Sequence, residues 1–196
     1  MFKISSNNKK LGLVDNINLP ALVTCPNIAS CRKYCYANKG FYRMPSVKNR
    51  YSENLQAYQD DPLEVLNSLI EQLNKSKATL VRWHASGDVP DYEYLVMVHA
   101  IAKRIPDKRF LMYTKRYKWV NDYISKNGTL DNLTIVFSHD EHLEMNNPYN
   151  LPMALLVDKH SLDSTCPSQF IDGMTCDKCT KCWNLTTNHN ITFKMH

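Results

Sequence analysis

Four short apolar runs, spaced along the middle of the chain, limit what it can fold into. They are Thr79–His84, Arg109–Thr114, Leu133–Ser138 and Met153–Asp158. Each is nearly continuous in apolar residues, as strands buried on both faces of a sheet must be. Helical patterns separate the first three. Residues 46–59 read as a helix. Asp61-Pro62-Leu63-Glu64 is a helix start, with an Asp cap, Pro at the first position and Glu three residues after the cap. Leu66, Leu69, Ile70 and Leu73 then share one helical face. Asp91 caps a further helix with Leu95, Val98 and Ala102 facing inward, and residues 116–126 form another that stops at Asn127-Gly128. The alternation predicts an α/β fold with a parallel sheet covered by helices. Lys10–Val14 and Leu19–Thr24 read as further strands or extended segments.

The chain has 196 residues, which suits one domain with a small appendage. The expected division is an α/β body over residues 1–160 and a Cys-rich segment over 161–196 packed on it. Hydrophobic residues at 43 % and charged residues at 22 % exclude a disordered or fibrous chain. Residues 1–10 have no apolar core of the kind a signal peptide needs, and no apolar run is long enough to cross a membrane. The chain therefore reads as cytoplasmic, without a membrane partner. In that reducing compartment, seven cysteines point to metal or redox chemistry before disulfides.

The cysteines fall in two groups. Cys25, Cys31 and Cys35 lie within eleven residues on a loop leaving the first apolar segments. Three thiolates there can hold three irons of a [4Fe–4S] cluster and leave the fourth iron open. Cys176-x2-Cys179-x2-Cys182 follows Cys166 near the other end of the chain. Structural zinc usually takes cysteine pairs separated by a longer spacer, so the close triplet looks more like cluster ligation. Cys166 then completes a closed set of four. One cluster drawing ligands from both groups, or two separate clusters, both satisfy this pattern.

The strand ends are polar: His84-Ala85-Ser86-Gly87-Asp88, Tyr113-Thr114-Lys115, Ser138-His139-Asp140 and Asp158-Lys159-His160. In parallel α/β folds the ligand site lies at those carboxyl ends. At one of them Gly87 permits a sharp turn or a close backbone approach.

Several of these motifs resemble a known family. Asn8-Lys9-Lys10-Leu11-Gly12, Thr24-Cys25-Pro26 with Cys31 and Cys35-Tyr36-Ala37, Ser86-Gly87-Asp88, Tyr113-Thr114-Lys115 and the Cys176–Trp183 run are similar to the gene product eighty-eight family of phages and plasmids. The first cysteine loop also resembles that of radical S-adenosylmethionine (SAM) enzymes, with Cx5Cx3C in place of their CxxxCxxC. These resemblances imply a radical-SAM-like partial (β/α) barrel with a Cys-rich C-terminal extension, a [4Fe–4S] cluster and, for a phage-encoded chain, the host cytoplasm. They imply SAM as a second cofactor, with Ser86, Gly87 and Asp88 near its amino group, and a reductant protein as partner. They name no substrate. Two other classes fit the cysteines: an electron-transfer or structural protein with a fully Cys-ligated cluster, and a zinc-stabilised nucleic-acid-binding module.

Lys115, Lys159, His139 and His160 are further mouth candidates. Lys103, Arg104, Lys108 and Arg109, followed by Lys115, Arg116 and Lys118, form a basic stretch with interleaved aromatics. A solvated helix face is the favoured reading there over a nucleic-acid patch.

Overall fold

A computed structural model describes residues 1–6 and 8–195. Six strands form a single all-parallel sheet in sequential order, curled into a half-barrel. They are β1 (Val14–Ile17), β2 (Leu80–Trp83), β3 (Arg109–Thr114), β4 (Leu133–Ser138), β5 (Met153–Val157) and β6 (Ile191–Lys194). The helices are α1 (Pro45–Asp60), α2 (Pro62–Lys75), α3 (Tyr92–Arg104) and α4 (Tyr117–Asn127), with a single turn α5 at Cys176–Cys179.

Local chemistry sets the helix starts. The Asp61 side chain accepts from the Glu64 amide (2.9 Å) and Asp91 from the Tyr94 amide (2.8 Å). Each satisfies an N–H that has no partner within its helix. Gly128 ends α4 at φ 73°.

Side chains alternate between the two faces of the sheet, so each face has its own core. Val81, Trp83, Phe110, Met112, Ile135 and Phe137 pack on the convex side with residues of α2, α3 and α4. On the concave side, Val14, Leu80, Leu111, Val136 and Ala154 cluster with Cys166, Trp183 and Ile191. The cover for that second face comes from the Cys-rich segment. Trp183 is buried there, and its Nε1–H donates to the Val81 carbonyl (3.1 Å). Its own carbonyl accepts from Arg109 and from Thr134.

Some expectations shift. Leu19–Thr24 is a turn: Leu22 has φ 68° and the Thr24 amide donates to the Pro20 carbonyl. Of Lys10–Val14 only Val14 enters a strand, because residues 8–12 fold back, with the Leu11 and Gly12 amides both donating to the Asn8 carbonyl. β6 is an addition. It pairs with β5 from Ala154↔Ile191 to Val157↔Lys194, so the segment after residue 160 supplies a strand to the sheet as well as packing on it.

Replacing Trp183 by Ala should lower unfolding free energy by about 3–5 kcal/mol, and by Phe about 1–2 kcal/mol. Urea denaturation of anaerobically purified protein measures both.

Candidate functional site

The loop after β1 carries Cys25, Cys31 and Cys35 across the carboxyl mouth of the half-barrel. Residues at three strand ends hold it there. Beyond β2, the Ser86 amide donates to Asn18 Oδ1 (3.1 Å) and the Asp88 amide to Thr24 Oγ1 (3.0 Å). Beyond β3, Arg116 donates to the Thr24 carbonyl (2.7 Å) and the Val89 carbonyl (2.9 Å). Beyond β4, Asp140 Oδ1 accepts from the Ser30 amide (3.0 Å). The three thiols sit close together: Cys35 and Cys31 both raise the Cys25 pKa, and Cys35 raises that of Cys31. Burial, reinforced by Asp88, pushes the Cys25 thiol up to about 11. Burial also raises Cys31, opposed by Lys115.

Gly87 and Asp88 are engaged within this scaffold. Gly87 has φ 84°, and a Cβ there would meet the Leu19 carbonyl oxygen at 2.7 Å and Thr24 Oγ1 at 2.8 Å. Asp88 Oδ1 accepts from Thr114 Oγ1 (2.6 Å) and from the Val89 amide (2.7 Å), and Oδ2 from the Lys115 amide (2.9 Å). Burial still raises the Asp88 pKa against these bonds and the nearby Arg116. The Ser-Gly-Asp turn thus bolts the cysteine loop to β2 and β3.

Lys115 reaches across the mouth. Its ammonium donates to Ser138 Oγ (2.6 Å) and stands 3.8 Å from Asp140 Oδ2. Burial favours the neutral form of Asp140, but the amides of Ser30 and His142 and the Lys115 charge outweigh it and lower the pKa. His139, Lys159 and His160 are exposed, outside this constellation. Lys108 is buried and donates to the Ser76 and Ala78 carbonyls, while Arg109 holds Trp183 and Asn184. These two cations are structural. Lys103 and Arg104 are exposed on α3, as a solvated helix face requires.

The second cysteine group lies against the segment that leads into β1. The Cys176 and Asp177 amides donate to the Lys10 and Leu11 carbonyls, and Asp177 Oδ2 accepts from the Leu13 amide (2.8 Å). Cys166, Cys176, Cys179 and Cys182 all line one hollow of 270 Å³, open solvent at its mouth included, together with Trp183 and Ile191. Burial pushes Cys182 up to about 11, against the favourable influence of Tyr113 and Arg82. All seven cysteines are free thiols. Among the described residues, no group of three or more His, Cys, Asp or Glu converges tightly enough for a single metal ion.

Arg82 stands between the groups. It is the one charge in the run Leu80–Trp83, and its guanidinium lies 5.2 Å from the Tyr113 ring centroid. Its Nε is buried without a hydrogen-bond partner among the described residues. The charge acts on Tyr36 and Tyr42, beside the first group, and on Cys176 and Cys182 of the second. Tyr36 in turn donates to the Ala85 carbonyl (2.7 Å). Sequence reasoning overlooked Arg82. Its signal was a lone cation inside a strand read as buried on both faces.

Fold and site together define a class: a parallel α/β half-barrel with three cysteines at its carboxyl mouth and four more in the segment filling its concave face. The family is shown by comparison with known proteins. The chain belongs to the gene product 88 family, whose model matches residues 3–185, a span that includes all seven cysteines. No curated protein and no solved structure matches it. No helix among the described residues is long and apolar enough to cross a membrane.

Two consequences can be measured. Gly87→Ala should cost about 2–4 kcal/mol, because positive φ and backbone crowding coincide. Gly128→Ala, with positive φ but open space around it, should cost about 1 kcal/mol. Thermal unfolding of the two variants checks the difference. His84 supplies the second test. Burial, then the Arg82 charge, depress its pKa to about 3. The unfolded chain therefore takes up a proton near pH 6.5 that the folded chain refuses. His84's contribution is intact at pH 7 and is lost as pH falls towards 3. Between pH 7 and 4.5 the wild type should lose about 2–3 kcal/mol more stability than His84→Asn, a residue that tolerates the local φ of 59°. Equal losses would refute that origin.

Proposed function

We propose that this protein binds iron–sulfur clusters, with a closed [4Fe–4S] site at Cys166, Cys176, Cys179 and Cys182 and an open one at Cys25, Cys31 and Cys35. The observation that carries the reading is that all four C-terminal cysteines line one hollow. The donor set fits the group: four sulfurs, no competing carboxylate lining the hollow, and apolar cover from Trp183 and Ile191. A cluster would bind each thiolate through a different iron.

The second site supports the enzymatic form of the same reading. Three thiols leave one iron without a protein thiolate, and they lie at the mouth where parallel α/β folds bind ligands. A cluster with an open iron supplies one-electron chemistry to a bound molecule such as SAM. The chain's own part is to orient and shield. Lys115 places a cation beside Cys31, Tyr36 and Tyr42 cover the loop, and the Ser86–Asp88 turn fixes it. Arg82 offsets thiolate charge at the closed site, where it acts on Cys176 and Cys182. Because burial holds the Cys25 and Cys182 thiols protonated at neutral pH, loading should release protons and proceed better as pH rises.

Anaerobically purified protein should be brown and contain iron and acid-labile sulfide in equal amounts. Cys176→Ser with Cys179→Ser should remove about half of both, as should Cys31→Ser with Cys35→Ser. Zinc without sulfide would overturn the assignment.

A further inference from the structure

The charge of this chain is unevenly placed. The 37 residues between Asp15 and Glu53 hold six of the 24 Lys and Arg and none of the 19 Asp and Glu. This stretch therefore accounts for the whole net charge of +5, and the remainder is balanced to within one charge. Arg32 is used internally, donating to the Leu22 carbonyl (2.8 Å). Lys33, Lys39, Arg43, Lys48 and Arg50 are exposed. They lie on the turns within and after the first cysteine group and on the start of α1. Among them stands Phe41, 83 % exposed, on a turn that begins at Gly40 with φ 51°. Tyr42, the next residue, instead packs with Tyr36 (5.9 Å) and Tyr51 (6.5 Å). The loop thus has internal aromatic contacts and still presents the Phe41 ring to solvent.

We propose that this face binds single-stranded nucleic acid, with Phe41 stacking on a base and Lys33, Lys39, Arg43, Lys48 and Arg50 pairing with phosphates. Cations with no carboxylate of their own segment among them fit a polyanion, which lines up charge at regular spacing. A protruding ring between cations fits an unpaired base, whose face is available as that of a stacked duplex base is not. The surface is separate from the basic stretch around Lys108 and Arg109, whose charges are spent inside the fold. It stands whether or not the cysteines carry iron.

Fluorescence anisotropy with a labelled oligothymidylate of about 20 nucleotides, using the full anaerobically purified chain, tests this. Binding should weaken with salt along a log–log slope of about −3.5 for five phosphates on a single strand. Lys48→Gln with Arg50→Gln should flatten the slope by about 1.4. Phe41→Ser should weaken binding roughly fivefold or more at unchanged slope, and a duplex of equal length should bind less well. Because all three substituted side chains are exposed, unchanged circular dichroism should accompany each variant. No binding at about 50 mM salt, or binding indifferent to Phe41 and to both cations, overturns the proposal. Displacement by polyglutamate as effective as by unlabelled oligonucleotide also overturns it, and assigns the face to an acidic protein.

Discussion

A parallel sheet that curls only halfway round has two apolar faces, and the helices between its strands cover just the convex one. The other face must find cover or remain wet at the cost of roughly 25 cal/mol for every Å² of apolar surface left exposed. In this protein the cover is the segment between β5 and β6, threaded through Trp183 and four cysteines. Its backbone is tied to the chain entering β1 through Cys176 and Asp177, and to β3 and β4 through Arg109 and Thr134. A segment this rich in short turns has little regular hydrogen bonding of its own. Thiolate ligation would give it the rigidity that its backbone lacks.

The same arrangement places the chemistry. The concave face has one cysteine group at the carboxyl mouth and the other in its filling, with Arg82 between them on β2. The mouth group depends on the strand ends: Asp88 joins the exits of β2 and β3, and Asp140 fixes the loop from the exit of β4. A change at Asp88 would therefore disturb the cysteine loop even if Asp88 never touched a ligand. That is why the Ser-Gly-Asp turn can look like a binding motif in the sequence and act as a brace in the fold.

Much of the framework was legible beforehand. β3 and β4 have the bounds that their apolar runs suggest, and the caps at Asp61 and Asp91 start the helices expected of them. These features are local, so a short window of sequence contains their cause. β6 escaped notice because Ile191-Thr192-Phe193-Lys194 is only four residues long and becomes a strand through pairing with β5, a partner more than thirty residues away. Leu19–Thr24 misled in the other direction: its apolar residues suggested extension, but Leu19 alone is buried in the convex core and the rest turns at Pro20. The two cysteine groups were legible as groups. Their separation by Arg82 was not, because it depends on which face of β2 that residue takes.

The Cys-rich segment is the inner layer of the half-barrel rather than an attachment to it. A chain ending at residue 160 tests this most directly, followed by thermal unfolding and dye binding beside the full-length protein. The shortened chain should lose its cooperative transition and bind dye, since its concave face would be bare. A sharp transition within a few degrees of full length (about the effect of 1 kcal/mol) would contradict it.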